Sequence, residues 1–171
     1  MNNTFIRYFA AIPVAIFFSG CVTYTPPNLI STSNDRESEY APYLKTGTAT
    51  LRGQAFLVQR GGGVVKGAGR TVTLDPATSI GIDWWDKAGK LWIHKDIAPA
   101  SKNFIEARRT TVTDAEGRFS FSGLPAGKYY VRTSVTWETG GYNPTQGGLV
   151  GKAVIIHDDK TTDVVLNEYP N

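Results

Sequence analysis

Cysteine is almost absent from this 171-residue chain, and its single copy, Cys21, excludes any intramolecular disulfide. Histidine is nearly as scarce. His94 and His157 lie far apart and in no spacing such as H-x-x-E or H-E-x-x-H, so no metal centre is expected. There is no G-x-S-x-G elbow, and no Gly-rich loop runs into Lys-Ser or Lys-Thr, which removes the signatures of a serine hydrolase and of a phosphate cradle. Charge of one sign is not in excess either: 18 Lys and Arg stand against 15 Asp and Glu. No basic cluster is longer than Arg108-Arg109, so nucleic acid is not an expected partner. The chain reads as a non-enzyme that needs no cofactor. Long apolar runs are missing as well. Tyr8 to Phe18 gives eleven residues, whereas a helix needs about 20 to cross a hydrocarbon core about 30 Å thick.

What the N-terminus does have is the layout of a secretory signal. Arg7 supplies positive charge, the apolar stretch follows, and Ser19-Gly20 are small enough for a peptidase pocket. Pro13 further weakens the run as a permanent span. Phe18-Ser-Gly-Cys21 resembles the bacterial lipoprotein lipobox, with Phe where Leu is usual. The resemblance implies cleavage before Cys21, diacylglycerol on its sulfur and usually an acyl chain, such as palmitate, on the freed amine. The chemistry suits a thiolate, the strong side-chain nucleophile. Two or three acyl chains anchor stably where one binds only marginally. Val22 after the cysteine, rather than Asp, implies sorting to the outer membrane. The bland alternative is an ordinary cysteine following an uncleaved apolar segment.

Residues 1–20 are thus expected to be a signal peptide and residues 21–45 a lipidated, disordered tether. Val22 to Lys45 holds Pro26-Pro27, Pro42 and the polar run Ser31 to Glu39, too little apolar surface to offset chain entropy. A flexible chain of that length reaches about 30 Å. It leaves room for a local turn or strand around Tyr40 to Leu44.

From Thr46 onward β-branched and aromatic residues alternate with polar ones between Gly-rich breaks, which predicts strands. They fall at Thr48 to Val58, Arg70 to Asp75, Ala107 to Thr113, around Phe119 and Phe121, Lys128 to Thr136, Val150 to His157 and Thr161 to Leu166. Gln59-Arg-Gly-Gly-Gly63 reads as a mobile hairpin loop, and Asp158-Asp-Lys160 as the tip of a final hairpin. Tyr129, Val131, Thr133 and Val135 share one face. About seven short strands with turns between them indicate an all-β fold, an antiparallel β-sandwich over residues 46–168.

Thr113-Asp-Ala-Glu-Gly-Arg-Phe-Ser-Phe121, followed by Leu124-Pro-Ala-Gly-Lys-Tyr129, resembles the signature of carboxypeptidase regulatory-like domains. The resemblance implies a transthyretin-like (prealbumin-like), Ig-like sandwich. Gly53-Gln-Ala-Phe56 and Gly69 to Leu74 look like its first two strands, and Lys160 to Leu166 like its last. Carboxypeptidases with a similar domain keep their catalytic residues in a separate domain, so the family name implies no activity. Read physically, Gly117 permits the turn, Phe119 and Phe121 fill the core, Leu124 packs beneath the connection and Pro125 stiffens it.

The chain departs from that pattern by an insertion at about residues 77–106. Three of the four tryptophans, Trp84, Trp85 and Trp92, fall in nine residues there, among Asp and Lys. Aromatics beside charged groups can stack on sugar rings or grip a peptide. The plainer expectation is a cap, with a short helix over Ala77 to Lys87, whose tryptophans cover the sandwich. Two functions follow: a membrane-anchored envelope lipoprotein presenting its sandwich to another protein, or a carbohydrate- or peptidoglycan-binding module using Trp84, Trp85 and Trp92.

Overall fold

The computed structural model of the protein describes residue 30 and residues 32–91, 101–142 and 144–170. Cys21 and the lipobox-like segment that ends in it, Trp92 and His94 lie outside the described residues. Among the described residues there are eight strands: β1 Ala49–Val58, β2 Val64–Lys66, β3 Thr71–Pro76, β4 Arg109–Val112, β5 Arg118–Leu124, β6 Gly127–Glu138, β7 Thr145–Ile156 and β8 Thr161–Leu166. Three short α-helices accompany them, α1 Asn34–Ser38 ahead of β1 and α2 Ser79–Trp84 and α3 Lys102–Ala107 between β3 and β4.

The strands form an all-β sandwich of two four-stranded sheets. In the first, β5 and β8 flank β1 while β2 pairs with the far end of β1, at Phe56 to Val58. In the second the order is β4-β3-β6-β7. Pairing is antiparallel throughout except between β1 and β8, which run parallel. The strand not anticipated is β2, only three residues long and set between glycine-rich turns that mask its pattern.

Alternation does what period-two sequence should. Ala49, Leu51, Ala55 and Leu57 of β1 point inward with Phe119, Phe121, Val164 and Leu166. They meet Val72, Leu74, Tyr129, Val131, Val135, Val150, Val154 and Ile156 of the other sheet. The turn before β5 is built as its sequence suggests. The Asp114 carboxylate accepts the Glu116 and Arg118 N–H groups, each at 2.8 Å, and Gly117 takes φ 74°. Buried Tyr129 satisfies its hydroxyl by donating to the Pro125 carbonyl at 2.8 Å, which locks the Leu124-Pro-Ala-Gly-Lys-Tyr129 connection.

Two expectations need correction. The last two strands are not a hairpin: β7 pairs with β6 along its length, whereas β8 crosses to β1 in the other sheet. The Asp158-Asp159 turn therefore carries the chain between sheets. Asp159 adopts φ 55°, and its N–H donates to Thr48 Oγ1 at 3.0 Å, tying the turn to the start of β1. Sequence alternation cannot distinguish a hairpin from such a crossover, because both turns look alike locally.

The second correction concerns the tether, which from residue 32 is built into the fold. Ser33 caps α1, Arg36 pairs with Asp83 at 2.5 Å, and Glu39 accepts from the Ser79 N–H at 2.6 Å and hydroxyl at 2.7 Å. Ile30 and Tyr40 are fully buried. The mean composition of the segment is polar, but two apolar anchors at its ends and two charged clamps between them suffice to fix it.

Candidate functional site

The insertion forms a second core on the outer face of the β3–β6 sheet. Thr78 caps α2 by accepting the Gly81 N–H at 3.1 Å, and the helix runs into a π-helical turn over Trp85–Gly89. Ser101 caps α3 in the same way, accepting the Phe104 N–H at 2.9 Å. Trp85 stacks on Tyr130 with centroids 4.4 Å apart and planes 6° from parallel. Trp84 packs against Phe104 at 5.2 Å, and the guanidinium groups of Arg132 and Arg108 lie 4.5 and 4.8 Å from its centroid. Arg108 also grips wholly buried Asp75 through two hydrogen bonds of 2.6 and 3.2 Å. Burial pushes the Asp75 carboxyl above its ordinary range, and Arg108 and Arg132 pull it back only in part.

Trp84 and Trp85 are 7% and 2% exposed, so their faces are spent on internal contacts. Within the described residues the insertion acts as the cap, tying the segment around α1 to the sheet.

An open cleft with aromatic side chains in its wall lies at one end of the sandwich, between the end of β1 and the β6–β7 turn. The fourth tryptophan, Trp137, continues the inward face of β6 two residues past Val135 and packs partly against the main core. Its ring lies across Gly147 of β7: a Cβ there would stand 2.8 Å from indole Cζ3, and φ at 147 is 98°. Only glycine fits such a seat. From the other sheet come Val58, Gln59 and Arg60, at the end of β1 and in its hairpin loop. The chain beyond β8 contributes Tyr169, and the Gly151 N–H accepted by the Glu168 carbonyl at 3.3 Å holds that segment against β7.

Together these residues bound an open cleft of about 480 Å³ whose remaining wall is Thr139 and Gln146. Val58 and Tyr169 are 59% and 62% exposed, so apolar and aromatic surface faces solvent. The loop wall is fixed by Thr139 N–H donating to the Pro144 carbonyl at 2.5 Å and by the Thr145 hydroxyl donating to Glu138 at 3.0 Å. Gln59 and Gln146 bring amides, Thr139 a hydroxyl and Arg60 a cation. An indole and a phenol beside amide and guanidinium donors can stack on one face of a polar ring and hydrogen-bond its edge.

Three elements far apart in sequence make this cleft, and sequence reading missed all of them. The available signal was Trp137 itself, which extends the Tyr129-to-Val135 face beyond the last core layer and beside a glycine-rich turn. Tyr169 has no local signal, because its position depends on the β8 crossover.

A second cleft, of about 430 Å³, lies over the β5–β1–β8 sheet. Arg52 and Asp163 pair across it at 3.3 Å, and the ring of its one aromatic, Phe119, is buried. It has no stacking face. His157 is exposed just before the crossover turn, and no group of three His, Cys, Asp or Glu able to hold a metal occurs among the described residues. No helix among the described residues is long and apolar enough to cross a membrane.

No family model matches the chain, and no curated protein does. Solved structures do. The chain is similar to a candidate carbohydrate-binding protein from Pseudomonas aeruginosa, at 27% identity and a TM-score of 0.66 over 81% of this chain and 99% of the other. It resembles a minor pilin from Streptococcus agalactiae at 22% identity and a TM-score of 0.38, covering 72% of this chain and 44% of the pilin. With the pilus backbone protein of Streptococcus pneumoniae the values are 18%, 0.29, 68% and 40%.

Proposed function

We propose that the protein is a non-catalytic, lipid-anchored envelope module that binds carbohydrate in the cleft between Trp137 and Tyr169. The observation that carries this reading is the placement of two aromatic side chains, two amides and a guanidinium around one open cleft. That is the chemistry a sugar ring requires, with an apolar face to stack and polar edges to satisfy. The description of the Pseudomonas protein as a candidate carbohydrate binder supports it, because the likeness spans nearly that whole chain. The resemblance of residues 113–131 to carboxypeptidase regulatory-like domains adds a sandwich of the kind that binds rather than catalyses. The anchor at Cys21 follows from the lipobox resemblance, and outer-membrane sorting from Val22.

A glycan array probed with the purified protein tests the reading. Binding that Trp137→Ala and Tyr169→Ala each abolish or weaken at least tenfold is expected, while Trp85→Phe leaves it unchanged. No glycan binding, or binding indifferent to Trp137 and Tyr169, would reject it. A protein partner in the envelope is the second reading. It is favoured by β7, a twelve-residue strand at the edge of its sheet, where an added strand could pair on either side of Gly151, the position that already bonds Glu168.

A further inference from the structure

We infer that the glycan is acidic, and that Arg60 selects it by pairing with a sugar carboxylate; this rests on the carbohydrate reading of the cleft. Arginines elsewhere in the described residues are mostly spoken for. Arg36, Arg52, Arg108 and Arg118 each meet a carboxylate, at 2.5 to 3.3 Å. Arg70 donates to the Thr136 hydroxyl at 2.8 Å, and Arg132 to the Gly89 carbonyl at 3.1 Å. Arg60 makes no ion pair among the described residues, and it stands on the cleft wall.

The cleft offers it no carboxylate. Its other lining residues are neutral, and Glu138, the acidic residue nearest in sequence to Trp137, turns to the opposite side of β6 and accepts the Thr145 hydroxyl at 3.0 Å. An unpaired guanidinium in such a cleft gives it a positive potential, and its planar fork matches a carboxylate with two parallel hydrogen bonds. Placed beside Trp137 and Tyr169, it can take the carboxylate of a uronic acid while the ring stacks and the ring hydroxyls meet Gln59 and Gln146. A neutral hexose would leave the cation with water alone.

The test compares oligosaccharides of galacturonate, glucuronate and mannuronate with their methyl esters, which keep the skeleton and remove the charge. Titration calorimetry is run on the purified protein and on Arg60→Gln and Arg60→Lys. Arg60 lies in an exposed hairpin loop, and circular dichroism confirms that each variant folds. At least one uronate series is expected to bind about tenfold more tightly than its ester, as a hydrogen-bonded charge contributes. Arg60→Gln removes the preference, so that acid and ester bind with equal affinity. Arg60→Lys recovers it only in part, and raising salt from 50 to 500 mM weakens acid binding selectively. Equal affinity for acid and ester, or a preference that survives Arg60→Gln, overturns the inference while the carbohydrate reading stands. If neutral glycans bind and no uronate does, the inference falls alone; if no saccharide of either kind binds, both fall.

Discussion

The indole of Trp137 rests on the bare backbone of Gly147, with no room for a Cβ between them. A methyl group at 147 would come within 2.1 Å of the Val135 carbonyl oxygen and 2.8 Å of the ring, at a backbone φ of 98°. Gly147→Ala is therefore expected to cost about 2–3 kcal/mol of stability through strain and overpacking. It should also displace the indole from the cleft. Chemical denaturation together with Trp137 fluorescence checks both effects; an unchanged midpoint and spectrum would mean that the ring does not lie there.

The buried pair of Asp75 and Arg108 binds the insertion to β3. Arg108→Met is expected to destabilise the fold by about 3–5 kcal/mol, since it leaves a carboxylate with no exposure and also removes a cation over Trp84 and Phe104. The loss should depend on pH. Burial already raises the Asp75 carboxyl, and without Arg108 it rises further. A group whose folded pKa is raised contributes most below its unfolded value, near 4, and its contribution falls as pH climbs through the folded value. The deficit of Arg108→Met relative to the parent should thus be larger at pH 8 than at pH 5. Thermal melts across that range test it, and a constant deficit would contradict it.

Glu39 has the opposite sign. The Ser79 N–H and hydroxyl hold its carboxyl below the ordinary value, so its stabilisation is complete above the unfolded pKa and is lost as pH falls through the folded one. The side chain is exposed, which keeps the effect small. Glu39→Gln is expected to lower Tm by about 1 °C at pH 7 and by less at pH 3. A loss that grew toward low pH would refute the assignment.

Cys21→Ala should release the protein from membranes. Fractionation of intact and variant forms, with sizing of each, is the check. If Cys21→Ala still pellets with the membrane and runs at unprocessed size, the apolar segment is an uncleaved anchor.

Legibility in the sequence differed between core and cleft for a physical reason. Phe119, Phe121, Leu124 and Tyr129 announce themselves because packing imposes period two and tight turns impose glycine and proline at set places. Trp84 and Trp85 drew attention by clustering, yet that clustering serves the cap, where Trp85 stacks on Tyr130, forty-five positions later. The polar run before Tyr40 reads as tether because Arg36 and Glu39 find Asp83 and Ser79 only in three dimensions. Trp137, Arg60 and Tyr169 converge through sheet topology, above all through the β7-to-β8 crossover, and no local pattern encodes that.

Indole N–H resonances in a ¹H–¹⁵N spectrum test the central claim most directly. Titration with an acidic oligosaccharide found to bind should shift the Trp137 indole and leave those of Trp84 and Trp85 in place. Shifts at Trp84 or Trp85 with Trp137 unmoved would contradict the account and return the site to the insertion.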